Sequence, residues 1–312
     1  SKPWTCELVK KLVNIIKDYI FISSLKSYDV VQFMQPLLFS QVFNLNKILI
    51  NKLILNNNKS FLVAAGSDSM YWKDYEIKFK YSPHHDMKHI DNNGEEAIYE
   101  RKKILDYNVY LADKVDGIIP IMYDYDIGYK EFKNKKQMIP LPIDINSIEY
   151  IENKVMDKVV IFHGLSREGF KGTKFIKKAM EKLKTNYPNE AEIIIDGKMP
   201  LTKYAELLKT VHVVIDQANS YSYGVNAVMS MAMGKIVLSG CEQETINGFG
   251  IESCPIINIL PDENDIYSKL VNLLKRRNDF VSLGKKSRDY AEKIHGYEIV
   301  AEKYIHTWSI SW

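Results

Sequence analysis

Arg167 and Lys171 stand four residues apart in the stretch Phe162-His163-Gly164-Leu165-Ser166-Arg167-Glu168-Gly169-Phe170-Lys171-Gly172-Thr173. The stretch follows directly on the apolar run Val159-Val160-Ile161-Phe162. Two cations in a glycine-rich turn can hold a phosphate, because a guanidinium and an ammonium both make charge-assisted hydrogen bonds to its oxygens. An amphipathic helical pattern comes next, with Phe175, Ile176, Ala179, Met180 and Leu183 on one face. A strand, a turn and a helix start in that order aim backbone N–H groups and the positive end of a helix at a bound anion. The expected ligand is therefore phosphorylated, a nucleotide derivative. Two better-known phosphate loops do not fit. A P-loop needs Gly-x4-Gly-Lys-Ser/Thr, and Phe170 separates Gly169 from Lys171. A dinucleotide fingerprint needs Gly-x-Gly-x-x-Gly, and Gly164, Gly169 and Gly172 are spaced otherwise.

Two further clusters could hold a metal. In His84-His85-Asp86-x2-His89 the residues His85 and His89 have i, i+4 helical spacing, but Ser82-Pro83 and the polar surroundings predict an exposed loop. Asp124-Tyr125-Asp126 is an acidic pair, for which a solvated loop is the expectation. No metal site is expected. Met229 and Met231 read as core.

The elements that must position these residues are clearest in the second half. Strands are predicted at Val159–Phe162, Ile193–Ile195, Val211–Ile215, Ile236–Ser239 and Ile256–Ile259, alternating with helices at Thr173–Thr185, Leu201–Lys209, Val225–Met233 and Glu263–Arg276. Short apolar strands alternating with helices predict a parallel sheet covered on both faces. The first half carries strand candidates at Asp29–Phe33, Ser60–Ala65, Gly117–Met122 and Gln137–Pro140, and helices at Cys6–Ser23, Gln41–Leu55 and Glu95–Lys114. The segment Ile139-Pro140-Leu141-Pro142-Ile143-Asp144 opens a linker that runs to Asp157. The fold class is thus α/β with two doubly wound, Rossmann-like domains, 1–150 and 151–296, and a helix at 297–312 packing back toward the first. A doubly wound domain opens on a strand and a glycine turn, whereas this chain opens on a helix, so an N-terminal or internal segment is expected to be missing from it.

Bulk properties narrow the class. At 312 residues, 46% hydrophobic and 26% charged, the chain has an ordinary globular composition. Its net charge of +3 does not argue for nucleic acid. Cys6, Cys241 and Cys254 are scattered and odd in number, which predicts a reducing, cytoplasmic compartment. No run of about 18 apolar residues, the length that spans a bilayer, is present, and no secretory leader is seen. Trp4–Ile22 sets Lys10, Lys11 and Lys17 among Leu8, Val9, Leu12, Ile15 and Ile16; core packing and a membrane-surface face remain alternatives.

In order and spacing these motifs resemble the family-4 type of GT-B glycosyltransferases. The match runs Gly164-x2-Arg167-x3-Lys171-Gly172, Ile195-Asp196-Gly197, Tyr204-x2-Leu207-Leu208, Val213-Val214-Ile215-Asp216 and Tyr223-Gly224-x6-Met231-Ala232-Met233-Gly234-Lys235. It covers 158–296 and extends more weakly to Tyr28-Asp29-Val30-Val31, Gly66-Ser67-Asp68 and Pro140-Leu141-Pro142-Ile143-Asp144. The resemblance implies a GT-B fold whose parallel sheets face each other across a cleft. A nucleotide diphosphate-sugar donor would lie in the C-terminal lobe, contacted by Gly164, Arg167, Lys171, Gly172, Asp216, Gln217, Tyr223, Gly224, Val225 and Asn226. A saccharide or lipid-linked acceptor would lie in the N-terminal lobe, at Gly66, Ser67, Asp68 and His85. Arg167, Lys171 and Asp68 are then the catalytic candidates, no cofactor or metal is required, and the transfer retains anomeric configuration. A setting in bacterial surface-glycan assembly, peripheral at the inner membrane face, is also implied, with no nucleic-acid partner. The family pattern sets two glutamates where this chain has Tyr221 and Met229, and a histidine where it has Ala65. A non-catalytic sugar-binding relative and a GT-B sugar-nucleotide epimerase or phosphorylase are the alternatives.

Overall fold

The computed structural model describes residues 3–39, 44–66, 68–87, 99–197 and 199–310. In the N-terminal lobe, β1 (Val30–Phe33), β2 (Lys59–Ala64) and β3 (Gly117–Pro120) form a parallel sheet in the order β1-β2-β3. Phe33 lies opposite Leu62, and Leu62 opposite Ile118. Phe61-Leu62-Val63-Ala64 is apolar without alternation because β2 is central and buried on both faces. Helices Leu45–Leu55 and Lys102–Lys114 cover this sheet, burying Leu49, Ile50, Leu53, Ile104 and Leu111.

The C-terminal lobe holds β4 (Val159–Leu165), β5 (Ala191–Gly197), β6 (Val213–Ile215), β7 (Ile236–Ser239) and β8 (Ile257–Asn258), all parallel, in the order β5-β4-β6-β7-β8. The chain leaves β4 toward β5 on one side and returns to β6 on the other. That reversal opens a crevice beyond the carboxyl ends of β4 and β6, where such sheets take ligands. Helices Thr173–Asn186 and Glu263–Lys275 bury Met180, Leu183, Ile266 and Leu270 against one face.

The chain crosses between lobes twice, side by side. Ile143 N donates to His295 O at 2.8 Å and Tyr297 N to Ile143 O at 3.0 Å. Helix Tyr297–Ile310 then lies on the N-terminal sheet, where Val300, Tyr304 and Trp308 pack on Phe61, Ile119 and Ile139.

Several expectations need correction. No strand forms at 137–140: Ile139 N bonds to Pro120 O at 3.0 Å, but Pro140 and Pro142 have no N–H to extend a ladder. Pro83–Met87 is a helix with His84 fully buried, not an exposed loop, because Pro83 starts the helix and Tyr71, Trp72 and Tyr75 cover it. Asp124 is likewise buried, at 2% exposure, in a helix at Tyr123–Asp126, not in a solvated loop. Helices Gln243–Phe249 and Phe280–His295 were not foreseen. His89 and the first residues of the expected helices at Gln41 and Glu95 lie outside the described residues.

Candidate functional site

The carboxyl ends of β4 and β5 open into a pocket of about 180 Å³. Gly164 and Leu165 form one wall, Asp196 and Gly197 another, and Lys171, Tyr204 and Asn226 reach in from the surrounding helices. Lys171 ends the short helix Glu168–Lys171 and donates to Asp216 Oδ1 at 2.9 Å. Asn226 Nδ2 donates to the same oxygen at 3.1 Å, and the Tyr204 hydroxyl donates to Asn226 Oδ1. Burial and the field of Asp216 push the Tyr204 phenol up, which keeps it a donor. Asp216 follows β6 directly, is 1% exposed, and its Oδ2 has no partner. Gly224 faces that oxygen, and helix Val225–Ala232 begins beside it. A part-buried ammonium, a helix N-terminus and two amide or hydroxyl groups thus converge on one small volume.

The remaining donor candidates separate into two groups. Gly172 takes a left-handed φ of 71° and starts helix Thr173–Asn186, and Val225 is exposed at its own helix start. Gln217 and Tyr223 are turned into the interior. Gln217 Nε2 donates to Ser222 O at 2.8 Å, and the Tyr223 hydroxyl meets Tyr290 at 2.7 Å and His295 Nε2 at 3.0 Å. Arg167 holds a left-handed φ of 51° that is costly for a side chain with a Cβ, and its guanidinium lies 3.8 Å over the Phe170 ring. Phe170 packs on the N-terminal core, and the charge of Arg167 is felt at Tyr71, His84 and Tyr125 of that lobe. Lys171 therefore faces the pocket while Arg167 faces the opposite lobe.

On the acceptor side, Asp68 is turned inward. It caps helix Ser69–Trp72, with Oδ1 accepting from Met70 N at 2.7 Å and Oδ2 from the Tyr129 hydroxyl at 2.6 Å. Burial raises its carboxyl to about 6. Gly66 is exposed, with a φ of 67° and its carbonyl accepting from Tyr125 at 2.7 Å. His85 Nδ1 pairs with Ser82 Oγ at 2.9 Å. Ser67 lies outside the described residues.

The lobes meet through contacts that spacing alone did not reveal. Asp86 accepts from Lys174 at 2.6 Å and from Asn219 at 2.8 Å. Asp124 Oδ1 accepts from Ser220 Oγ at 2.7 Å. Asp126 pairs instead with Lys135, so the acidic pair diverges. Tyr221 inserts between Phe79, Tyr81 and Tyr123, with ring centroids at 5.3, 4.9 and 5.8 Å. Gly240 makes this possible: a Cβ there would stand 1.8 Å from Ser220 O. Among the described residues, no group of three or more His, Cys, Asp or Glu is arranged to hold a metal ion.

No protein-family model matches the chain, and no curated protein matches it. Solved structures do. The crystal structure of TarM matches with a TM-score of 0.61 at 14% identity, over 95% of this chain and 58% of that one. Anabaena HepE in complex with UDP and glucose matches with a TM-score of 0.62 at 11% identity, over 94% of this chain and 81% of that one. Sucrose-phosphate synthase from Thermosynechococcus elongatus matches with a TM-score of 0.61 at 13% identity, over 90% and 73%. The chain spans 58% of the length of the TarM chain. The shared architecture is the GT-B fold, with two Rossmann-like lobes.

Proposed function

We propose that the protein is a glycosyltransferase that moves a hexose or N-acetylhexosamine from a nucleoside diphosphate-sugar to a saccharide or lipid-linked saccharide. Lys171 carries the reading: its ammonium, fixed by Asp216 at 2.9 Å, lines a pocket at the carboxyl ends of β4 and β5. The sugar C1–O bond to the β-phosphate breaks and its electron pair leaves with the diphosphate. The acceptor oxygen bonds C1, and its proton passes to the departing phosphate. Negative charge develops on the diphosphate, and the preorganised ammonium of Lys171 favours that transition state without a metal ion. Asp68, bonded through both oxygens, orders the acceptor lobe and does not take the proton. HepE, solved with UDP and glucose, supports a uridine donor. The resemblance to family 4 supports retention of configuration.

At about 180 Å³ the pocket is smaller than the roughly 300–1,000 Å³ of sites that enclose whole ligands. It takes the diphosphate, and the sugar end lies toward the seam between lobes, where Asp86 meets Asn219 and Tyr81 meets Tyr221. The lobes part to admit it.

Tyr221 favours a second reading. It occupies a position where the family pattern has a glutamate, and its ring fills the seam between lobes. A protein so closed would bind a nucleotide and support a partner without transferring sugar. Calorimetry with UDP, GDP and ADP, without metal, tests the first reading beside Lys171→Ala. Binding of one nucleotide, weakened in the variant, with release of nucleotide diphosphate from its sugar upholds transfer. Binding without any release upholds the second reading. No binding to any of the three sinks both.

A further inference from the structure

On the β7–β8 side of the C-terminal sheet, away from the donor pocket, the seam between lobes opens into a cavity of about 460 Å³. That lies within the roughly 300–1,000 Å³ of sites that enclose a ligand. Lys80 and Tyr81 line it from the N-terminal lobe, and Tyr221, Glu242, Glu244 and Asp262 from the segments that follow β6, β7 and β8. The Tyr81 and Tyr221 rings meet here with centroids 4.9 Å apart and planes tilted by 31°. Tyr221 is 6% exposed, and its hydroxyl accepts from Lys80 N at 3.1 Å, while its own proton has no acceptor among the described residues. Glu242 is half committed. Its Oε1 accepts from the Tyr81 hydroxyl and from Asn258 Nδ2, the latter at 2.9 Å, and its Oε2 makes no hydrogen bond among the described residues. Glu244 is exposed.

We propose that this cavity seats one unit of a saccharide that carries no negative charge. The two rings give the C–H side of a pyranose an apolar wall, and the Tyr221 proton reaches a sugar oxygen. Carboxylates only accept, so they take protons from hydroxyls or from an amine. Three carboxylates set against the one Lys80 ammonium repel a uronic acid or a phosphorylated sugar. A metal ion fits less well, because no group of three or more His, Cys, Asp or Glu among the described residues is arranged to hold one. The place is distinct from the turn at Gly66, where the Asp68 carboxyl is spent on Met70 and Tyr129 inside the fold. Naming the bound saccharide as the acceptor rests on the transfer reading; its binding does not.

The test is calorimetry of the full chain, without nucleotide, against tetramers of N-acetylglucosamine, glucosamine and galacturonate. The first two are expected to bind and the third is not. Glu242→Gln weakens binding of the N-acetylglucosamine tetramer about tenfold or more, the worth of a hydrogen bond to a charged group. Tyr221→Phe, which keeps the ring, weakens it several-fold, the worth of a neutral one. Glu244→Lys changes an exposed side chain, so thermal unfolding stays as it was while the galacturonate tetramer is now admitted. Binding of a tetramer with no release of nucleotide diphosphate from any sugar nucleotide removes the transfer reading and upholds this site. Failure of both non-anionic tetramers to bind overturns the inference. So does a galacturonate tetramer bound by the unaltered chain, spermine bound in preference to either sugar, or an affinity that none of the three variants changes.

Discussion

Lys171 Nζ and Asp216 Oδ1 lie 2.9 Å apart with side chains only 13% and 2% exposed, so the pocket's cation is part of a buried ion pair. Removing Lys171 leaves a carboxylate uncompensated in the interior. Lys171→Ala is expected to lose about 3 kcal/mol of stability in urea titration, the scale for breaking a buried pair. Nucleotide diphosphate affinity falls by about 1.5–3 kcal/mol in calorimetry, the worth of a charged hydrogen bond. Asp216→Asn, which keeps an acceptor for Lys171, separates the two effects: nucleotide still binds. Unchanged affinity in Lys171→Ala would remove the main argument for the site.

Tyr221 closes the seam between lobes by packing rather than by charge. Tyr221→Ala deletes a ring that is 6% exposed and is expected to cost about 3 kcal/mol, as for other buried aromatic truncations. Small-angle scattering should show a larger radius of gyration, because the ring joins the lobes. An unchanged radius with lowered stability would make Tyr221 a packing residue only.

Asp86 is the polar counterpart of that contact. If ligand enters through an opened seam, the closed state reduces apparent affinity by the fraction of molecules that are open. Asp86→Ala loses its bonds to Lys174 and Asn219 and is expected to tighten nucleotide-sugar binding several-fold, with about 1 kcal/mol less stability. Weaker binding in this variant would place Asp86 among the ligand contacts.

Buried titratable groups give the fold an acid-sensitive side. Burial pushes His84 down to about 3 and His295 down to about 4, both below the ordinary 6.5. Each therefore contributes stability that is present above that ordinary value and is lost as pH falls toward its folded value. Asp68, raised from 3.8 to about 6, acts the other way: its protonated form suits the fold, and stability declines as pH rises from near 4 through 6. Burial also lowers His212 and raises Asp124, so three histidines stand against two carboxyls, and net stability falls between pH 6 and pH 4. His295→Gln should flatten that slope in urea midpoints measured across the range, and Asp68→Asn should steepen it. A midpoint constant from pH 4 to 7 would contradict both.

Legibility in the sequence followed burial. The span of β7, Ile236–Ser239, was readable because a central parallel strand is a bare apolar run. Helix Phe280–His295 was not, because its central inward positions are Gly284, Ser287 and Ala291, with the large apolar Phe280 and Ile294 only at its ends. Close approach explains the choice: a Cβ on Gly284 would stand 2.3 Å from Gly234 O. At the candidate site, spacing brought Lys171 and Gly164 to one turn, and Asn226 joined them through the motif order. Spacing could not say that Tyr223 and Asp68 point inward, since direction depends on partners such as His295 and Tyr129 that are distant in the chain. Asp124 and Ser220 are 96 residues apart, and no local pattern links them.

The return of helix Tyr297–Ile310 onto the first sheet has a consequence for biosynthesis. Phe61, Ile119 and Ile139 are covered by Val300, Tyr304 and Trp308, which leave the ribosome after the entire second lobe. During translation the first lobe keeps an apolar face open until the five-stranded second lobe has been made. The nascent first lobe is the stage at which a chaperone has the most to hold.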